Sequence, residues 1–146
     1  MRLRLIAAAA CLVLSGPALA ESSPVGRWLV PDASGVIEIV PCRDGLCGRI
    51  VGQNEIRDAQ GNPTRDVHGV PHCGLIILHG TRLAEPGHWG GLITNPDEGS
   101  DWRCEFWLGV DGRLRLRGYI LTPLLGQTQT WTPYTGQVGA DCAMSG

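Results

Sequence analysis

Between Arg113 and Ile120 the chain reads Arg-Leu-Arg-Leu-Arg-Gly-Tyr-Ile, with charge and hydrocarbon alternating at a period of two. Successive side chains of a β-strand point to opposite faces. The segment therefore has a wet face of Arg113, Arg115 and Arg117 and a dry face of Leu114, Leu116 and Ile120. A sheet wet on one side must cover its dry side, and the chain offers mainly more strand for that purpose. Twenty-one glycines and ten prolines among 146 residues favour many turns over long helices.

Eight strands can be placed: Val25 to Val30, Gly35 to Val40, Cys47 to Gly52, Gly74 to His79, Trp89 to Thr94, Trp102 to Leu108, Arg113 to Ile120 and Gln127 to Pro133. Asp44-Gly45 and Asp111-Gly112 are hairpin signals, and Asn95-Pro96-Asp97-Glu98-Gly99 is a turn. Short strands joined in order by tight turns predict an all-β fold, an eight-stranded up-and-down antiparallel barrel. Closure would remove exposed edges and leave room for one small ligand; a two-sheet β-sandwich is the alternative. One connection is out of scale. Gln53 to His72 shows no strand or helix pattern, and loops of roughly twenty residues are usually lids, binding loops or disordered segments; the plainer reading is a segment that crosses one open end of the barrel.

The N-terminus predicts export. Met1-Arg2-Leu3-Arg4 precedes an apolar run from Leu5 to Leu14, and Ala18-Leu19-Ala20 suits a signal peptidase. Residues 1–20 are thus expected to be a signal peptide and 21–146 a single domain, exported to the periplasm or secreted. The apolar run is short of the ~20 residues that span a bilayer. A lipoprotein acylated at Cys11 is the rival reading. Against it, Ala8-Ala9-Ala10 lacks the expected leucine, and the apolar run continues past Cys11. Every basic residue is Arg, and losing Arg2 and Arg4 takes the formal charge from −2 to −4. A mildly acidic chain argues against nucleic acid or an anionic membrane surface as partner.

Val25-Gly26-Arg27-Trp28, Gly35-Val36-Ile37-Glu38-Ile39, the stretch from Cys42 to Arg49, Pro71 to Leu78, and Arg117-Gly118-Tyr119 through Leu124 to Trp131 together resemble the domain of unknown function 2147 family of small exported bacterial proteins. The resemblance runs in order over nearly all of the chain after residue 20. It implies a lipocalin-like barrel outside the cytoplasm and no established activity. Family members usually carry Arg where this chain has Gln127. In calycin barrels a late Arg packs over the Trp of an early Gly-x-Trp, here Gly26-Arg27-Trp28.

Cys42 and Cys47 flank one hairpin turn, where a disulfide is geometrically easy and closes a loop that stabilises by about 2 kcal/mol. A reactive pair is the alternative, but the Cys-x-x-Cys spacing is missing. Cys104 shares a strand face with Trp102 and Phe106 and reads as a buried thiol; Cys73 and Cys142 can pair with it or with each other. Asp66, His68, His72 and Cys73 carry zinc or copper chemistry, yet their spacing fits no standard ligand module, and no metal or other cofactor is expected. Asn95 to Asp101 lacks the alternating oxygens of a calcium loop. Catalytic motifs are missing, and Glu38 and Glu105 read as solvated rather than as an acid–base pair.

The interior carries the functional expectation. Trp102, Cys104, Phe106 and Leu108 share one face, which should meet Leu114, Leu116 and Ile120. If Trp131 points inward, Gln127 and Gln129 point with it. An apolar cavity with a few polar groups suits a small molecule. Trp102, Phe106, Leu116, Gln129 and Trp131 are the candidate ligand-binding residues of a lipocalin-like protein that is not an enzyme. A filled core serving an envelope structural or interaction role is the alternative, and an enzyme comes third.

Overall fold

A computed structural model describes residues 22–145. The leader expected over residues 1–20, Cys11 included, lies outside the described residues. Eight strands follow one another: β1 Gly26–Leu29, β2 Gly35–Cys42, β3 Gly45–Gln53, β4 Ile76–Arg82, β5 His88–Asn95, β6 Ser100–Leu108, β7 Leu114–Tyr119 and β8 Gln127–Pro133. Each pairs antiparallel with the next, and β8 returns to β1 through Trp28↔Pro133 and Leu29↔Thr132, so the barrel is closed. No sandwich forms, because that last pairing leaves no free edge.

The alternation in β7 does what its pattern dictates. Leu114 and Leu116 are buried, and Arg115 and Arg117 lie on the outer face. Register carries the same parity into the neighbours: Leu116 pairs with Phe106 of β6 and Gln129 of β8, and Leu114 pairs with Trp131. Trp28, Ile37, Ile39, Leu46, Leu78 and Cys104 belong to the same core.

The two barrel ends differ. At one end Trp28 is buried, and its indole Nε1 donates to the Pro24 carbonyl at 2.8 Å, so the segment before β1 crosses beneath the barrel. Phe106 is fully buried, with Trp89 stacked at 6.5 Å and Gly80 directly opposite its ring edge. A Cβ at Gly80 would stand 2.4 Å from Phe106 Cε1, so only glycine lets β4 pass the ring. At the other end open the β1–β2, β3–β4, β5–β6 and β7–β8 connections.

Several features of the secondary structure depart from the sequence reading. The strand expected from Gly74 begins at Ile76, because Gly74 turns at φ +84° while its N–H bonds the Ile50 carbonyl. A one-turn 3-10 helix, η1 (Pro123–Leu125), precedes β8. A small ribbon of β9 (Gln137–Val138) and β10 (Met144–Ser145) covers Gly52 and Val36 on the outside of the barrel.

The long connection is ordered by a tandem device. Arg57-Asp58-x-x-Gly61-x-Pro63 recurs as Arg65-Asp66-x-x-Gly69-x-Pro71, eight residues later. In the first copy Asp58 Oδ1 accepts the Gln60 and Asn62 N–H groups, and Arg57 Nη1 donates to the Gly61 carbonyl at 2.9 Å. In the second, Asp66 Oδ1 accepts His68 and Val70 N–H, and Arg65 Nη1 donates to the Gly69 carbonyl at 2.7 Å. Two successive tight turns therefore replace the patternless loop expected from Gln53 to His72.

Candidate functional site

The open end holds a cavity of about 1090 Å³, just above the usual scale for small-molecule pockets. Its depth is apolar: Val30, Ile77, Ile93, Leu116 and Trp131. Trp131 is buried and donates through Nε1 to Gln129 Oε1 at 2.8 Å, which satisfies the indole and aims the amide along the wall. Gln127 lies one step nearer the mouth on the same strand face. Strand parity makes this arrangement, since residues two apart on β8 share a face.

Of the five residues proposed from the sequence, Trp102, Leu116, Gln129 and Trp131 line this cavity. Phe106 does not. It shares a face with Trp102, but β6 runs from the mouth towards the closed end, so Phe106 sits deeper along β6 than Trp102, beside its register partner Leu116 in the packed half. The barrel is thus filled at one end and open at the other, where the sequence reading offered the two states as alternatives.

The mouth is built by the connections. Asp32 and Ser34 enter from the β1–β2 turn, and Asn95, Pro96 and Glu98 from the β5–β6 turn. Ile120, Leu121 and Leu125 enter from the segment between β7 and β8. That segment is an apolar lip: Ile120, Leu121, Leu124 and Leu125 are 69%, 74%, 90% and 76% exposed. It is braced from outside by Arg117, whose Nε donates to the Pro123 carbonyl, Nη2 to the Leu124 carbonyl and Nη1 to Thr128 Oγ1. Sequence reasoning missed the lip. The signal was present as Tyr-Ile-Leu-Thr-Pro-Leu-Leu, an apolar run lying where a turn had to be.

Cys42 and Cys47 form the hairpin disulfide, with His79 Nδ1 3.6 Å from the Cys47 sulfur. Cys73 pairs with Cys142 and clamps the C-terminal segment to the end of the long connection, while Cys104 is free and buried. Burial pushes the Cys104 thiol up to about 12, which keeps it neutral and unreactive.

The loop cluster does not converge. Cys73 is in a disulfide, and Asp66 is occupied by backbone N–H groups. Among the described residues no three His, Cys, Asp or Glu side chains group around one point. His72 is buried beside the mouth, its Nδ1 3.3 Å from Gln53 Nε2 and its Nε2 3.8 Å from Asp97 Oδ1. Glu38 and Glu105 are on β2 and β6, half the barrel apart and both facing outward. Glu38 is held by Arg49 Nη2 at 2.6 Å and Arg27 Nε at 3.1 Å, and these bonds, that of Arg49 foremost, keep its carboxyl below its ordinary value.

Comparison with known proteins decides the family. The model of the DUF2147 family, described as an uncharacterized protein conserved in bacteria, matches residues 26–133, from the first strand of the barrel to the last. The chain belongs to the DUF2147 family. Among solved structures, protein HP1028 from Helicobacter pylori, described as belonging to the lipocalin family, superposes with a TM-score of 0.57 at 10% identity, over 76% of this chain and 82% of that one. At that identity the likeness concerns the fold, and the fold is lipocalin-like. No curated protein matches the sequence. The early Gly-x-Trp of this DUF2147 protein stands at the closed end, where Trp28 is tied to Pro24, whereas Gln127 stands at the opposite end in the cavity wall. Gln127 is therefore not placed to cover Trp28.

Proposed function

We propose that this DUF2147 protein binds a small, largely apolar molecule in its barrel and does not transform it chemically. The observation that carries this reading is the cavity of about 1090 Å³, whose floor is hydrocarbon and indole and whose polar groups include Gln127 and Gln129 on the β8 wall and, at the rim, Asp32, Ser34, Thr94, Asn95 and Glu98. Burial of a ligand's apolar surface there is favourable at roughly 25 cal/mol per Å² before ordering costs are counted. The lip and Trp102 would give the entering molecule an apolar surface to meet first.

The reading includes export. Two disulfides, Cys42–Cys47 and Cys73–Cys142, suit an oxidising compartment. Among the described residues no helix is long and apolar enough to cross a membrane. Residues 1–20 then act as the leader and residues 21–146 as the working domain. Native mass spectrometry of protein recovered from its own cells tests both parts. The expected result is a chain beginning at Glu21 that carries a small hydrocarbon-rich species released on unfolding. A chain acylated at Cys11 would contradict the leader assignment. Protein of bare mass that also takes up no apolar probe would contradict the binding reading.

One observation favours a second reading, an envelope interaction module. The exposed aliphatic lip is the kind of patch that marks a contact surface. In that case Leu124→Ser, at a lip residue outside the cavity wall, would abolish retention on envelope fractions and leave probe uptake unchanged.

A further inference from the structure

The four connections at the open end alternate in character around the rim. The β1–β2 turn and the β5–β6 turn lie four strands apart in a ring of eight, so they face each other across the mouth. Each places one carboxylate in the cavity lining, Asp32 from the first and Glu98 from the second. The other diameter joins the β3–β4 connection to the apolar lip. Among the described residues no Arg or His lines the cavity, and the sequence contains no Lys.

The cationic side chains at this end are turned elsewhere. Arg57 and Arg65 donate to loop carbonyls, Arg117 braces the lip from the outer face, and Arg103 is exposed on the outer face of β6. Of the remaining acids, Asp97 faces His72, and Asp101 accepts a hydrogen bond from Thr94 Oγ1 at 2.6 Å. Asp32 accepts bonds from both the hydroxyl and the N–H of Ser34, which hold its carboxyl below its ordinary value and fix its direction. Glu98 accepts a bond from Ser100 Oγ at 3.3 Å.

We propose that the mouth selects amphiphiles with a cationic head group over those with an anionic one, the hydrocarbon lying against Leu116 and Trp131 and the head between Asp32 and Glu98. The proposal rests on the ligand-binding reading above and adds the class of ligand. An ammonium head at the rim meets two opposed carboxylates, whereas a carboxylate head meets two like charges and no compensating donor of positive charge. Both acids are near solvent, so the preference is moderate and weakens with salt.

The test is displacement of the uncharged fluorophore N-phenyl-1-naphthylamine from the mature protein by dodecyltrimethylammonium, dodecanoate and dodecyl maltoside, each below its micelle threshold. The expected result is half-displacement by the cationic chain at a concentration about tenfold or more below that of dodecanoate, with the maltoside between them. The ratio should collapse towards one in Asp32→Asn/Glu98→Gln and in high salt. Asp44→Asn, at the far end of the barrel, removes the same kind of charge and should keep the wild-type ratio, which separates the local effect from overall acidity. Equal displacement by both charged chains, or a preference for dodecanoate, overturns the charge selection while leaving the binding reading intact. A cationic preference that survives in the double variant overturns its assignment to these two acids. Failure of the fluorophore to bind at all overturns both.

Discussion

Replacing Phe106 with Ala separates the packed half of the barrel from the open half. The ring is fully buried between Leu116, Trp89 and the backbone at Gly80, and it takes no part in the cavity lining. A Phe→Ala change in a core costs about 3–5 kcal/mol, and the cost rises where neighbours cannot close the void. Here the nearest wall is a glycine with no side chain to move, so the upper half of that range, about 4–5 kcal/mol, is expected. At a urea m-value of about 2 kcal/mol/M the midpoint should fall by about 2 M. Affinity for an apolar probe, measured where both proteins are folded, should change little. Gly80→Ala supplies the complementary arm. In the wild type its methyl would collide with Phe106 Cε1 and cost about 1–3 kcal/mol. In the Phe106→Ala background the same methyl enters the void and should be close to neutral, giving a coupling energy of at least about 1 kcal/mol in a double-mutant cycle. A Phe106→Ala variant that loses under 1 kcal/mol, or gains several-fold in probe affinity, would refute the division of the barrel into two halves.

The two disulfides should differ in weight. Cys73–Cys142 spans 69 residues of sequence and Cys42–Cys47 only 5, so chain entropy assigns about 4 and about 2 kcal/mol; paired Ser variants in thermal unfolding should reproduce that order. Cys104, with its thiol pushed up to about 12, should resist iodoacetamide in the native protein and react only on unfolding, as followed by mass. Glu38→Gln should cost about 1 kcal/mol at neutral pH through loss of its bonds to Arg49 and Arg27. Because the folded carboxyl lies below its ordinary value of 4.5, that contribution is present above pH 4.5 and fades as pH falls through the lower folded value. Urea unfolding of both proteins between pH 3 and 7 should therefore converge at the acid end.

Face was legible in the sequence and depth was not. The two-residue period of Arg113 to Ile120 and the Asp44-Gly45 and Asp111-Gly112 turns determine strand, parity and order, whereas the inward direction of Trp131 stayed conditional in the sequence and is given by its pairing with buried Leu114. The same period puts Trp102 and Phe106 on one face without saying that one stands at the mouth and the other in the packed end. That depends on Gly80 passing beneath the Phe106 ring and on Pro24 closing over Trp28, contacts made between segments remote in sequence. The Cys73–Cys142 bridge was illegible for the same reason, since no local turn relates its halves. Cys42 and Cys47 lie either side of one turn, and their pairing could be expected from position alone. The octapeptide repeat around Asp58 and Asp66 was a missed local signal: each carboxylate organises its own turn through backbone N–H groups.

The most direct test of the ligand-binding account is titration of N-phenyl-1-naphthylamine into the mature protein and its Leu116→Trp variant, following tryptophan emission. Leu116 is in the cavity wall between Phe106 and Gln129, so the larger indole should occupy the space a ligand needs. The account predicts saturable binding at one site, with quenching of the indoles that line it, and a loss of at least about tenfold in affinity in a variant that still unfolds cooperatively. Absence of saturable binding to the wild type, or unchanged affinity in folded Leu116→Trp, would contradict it.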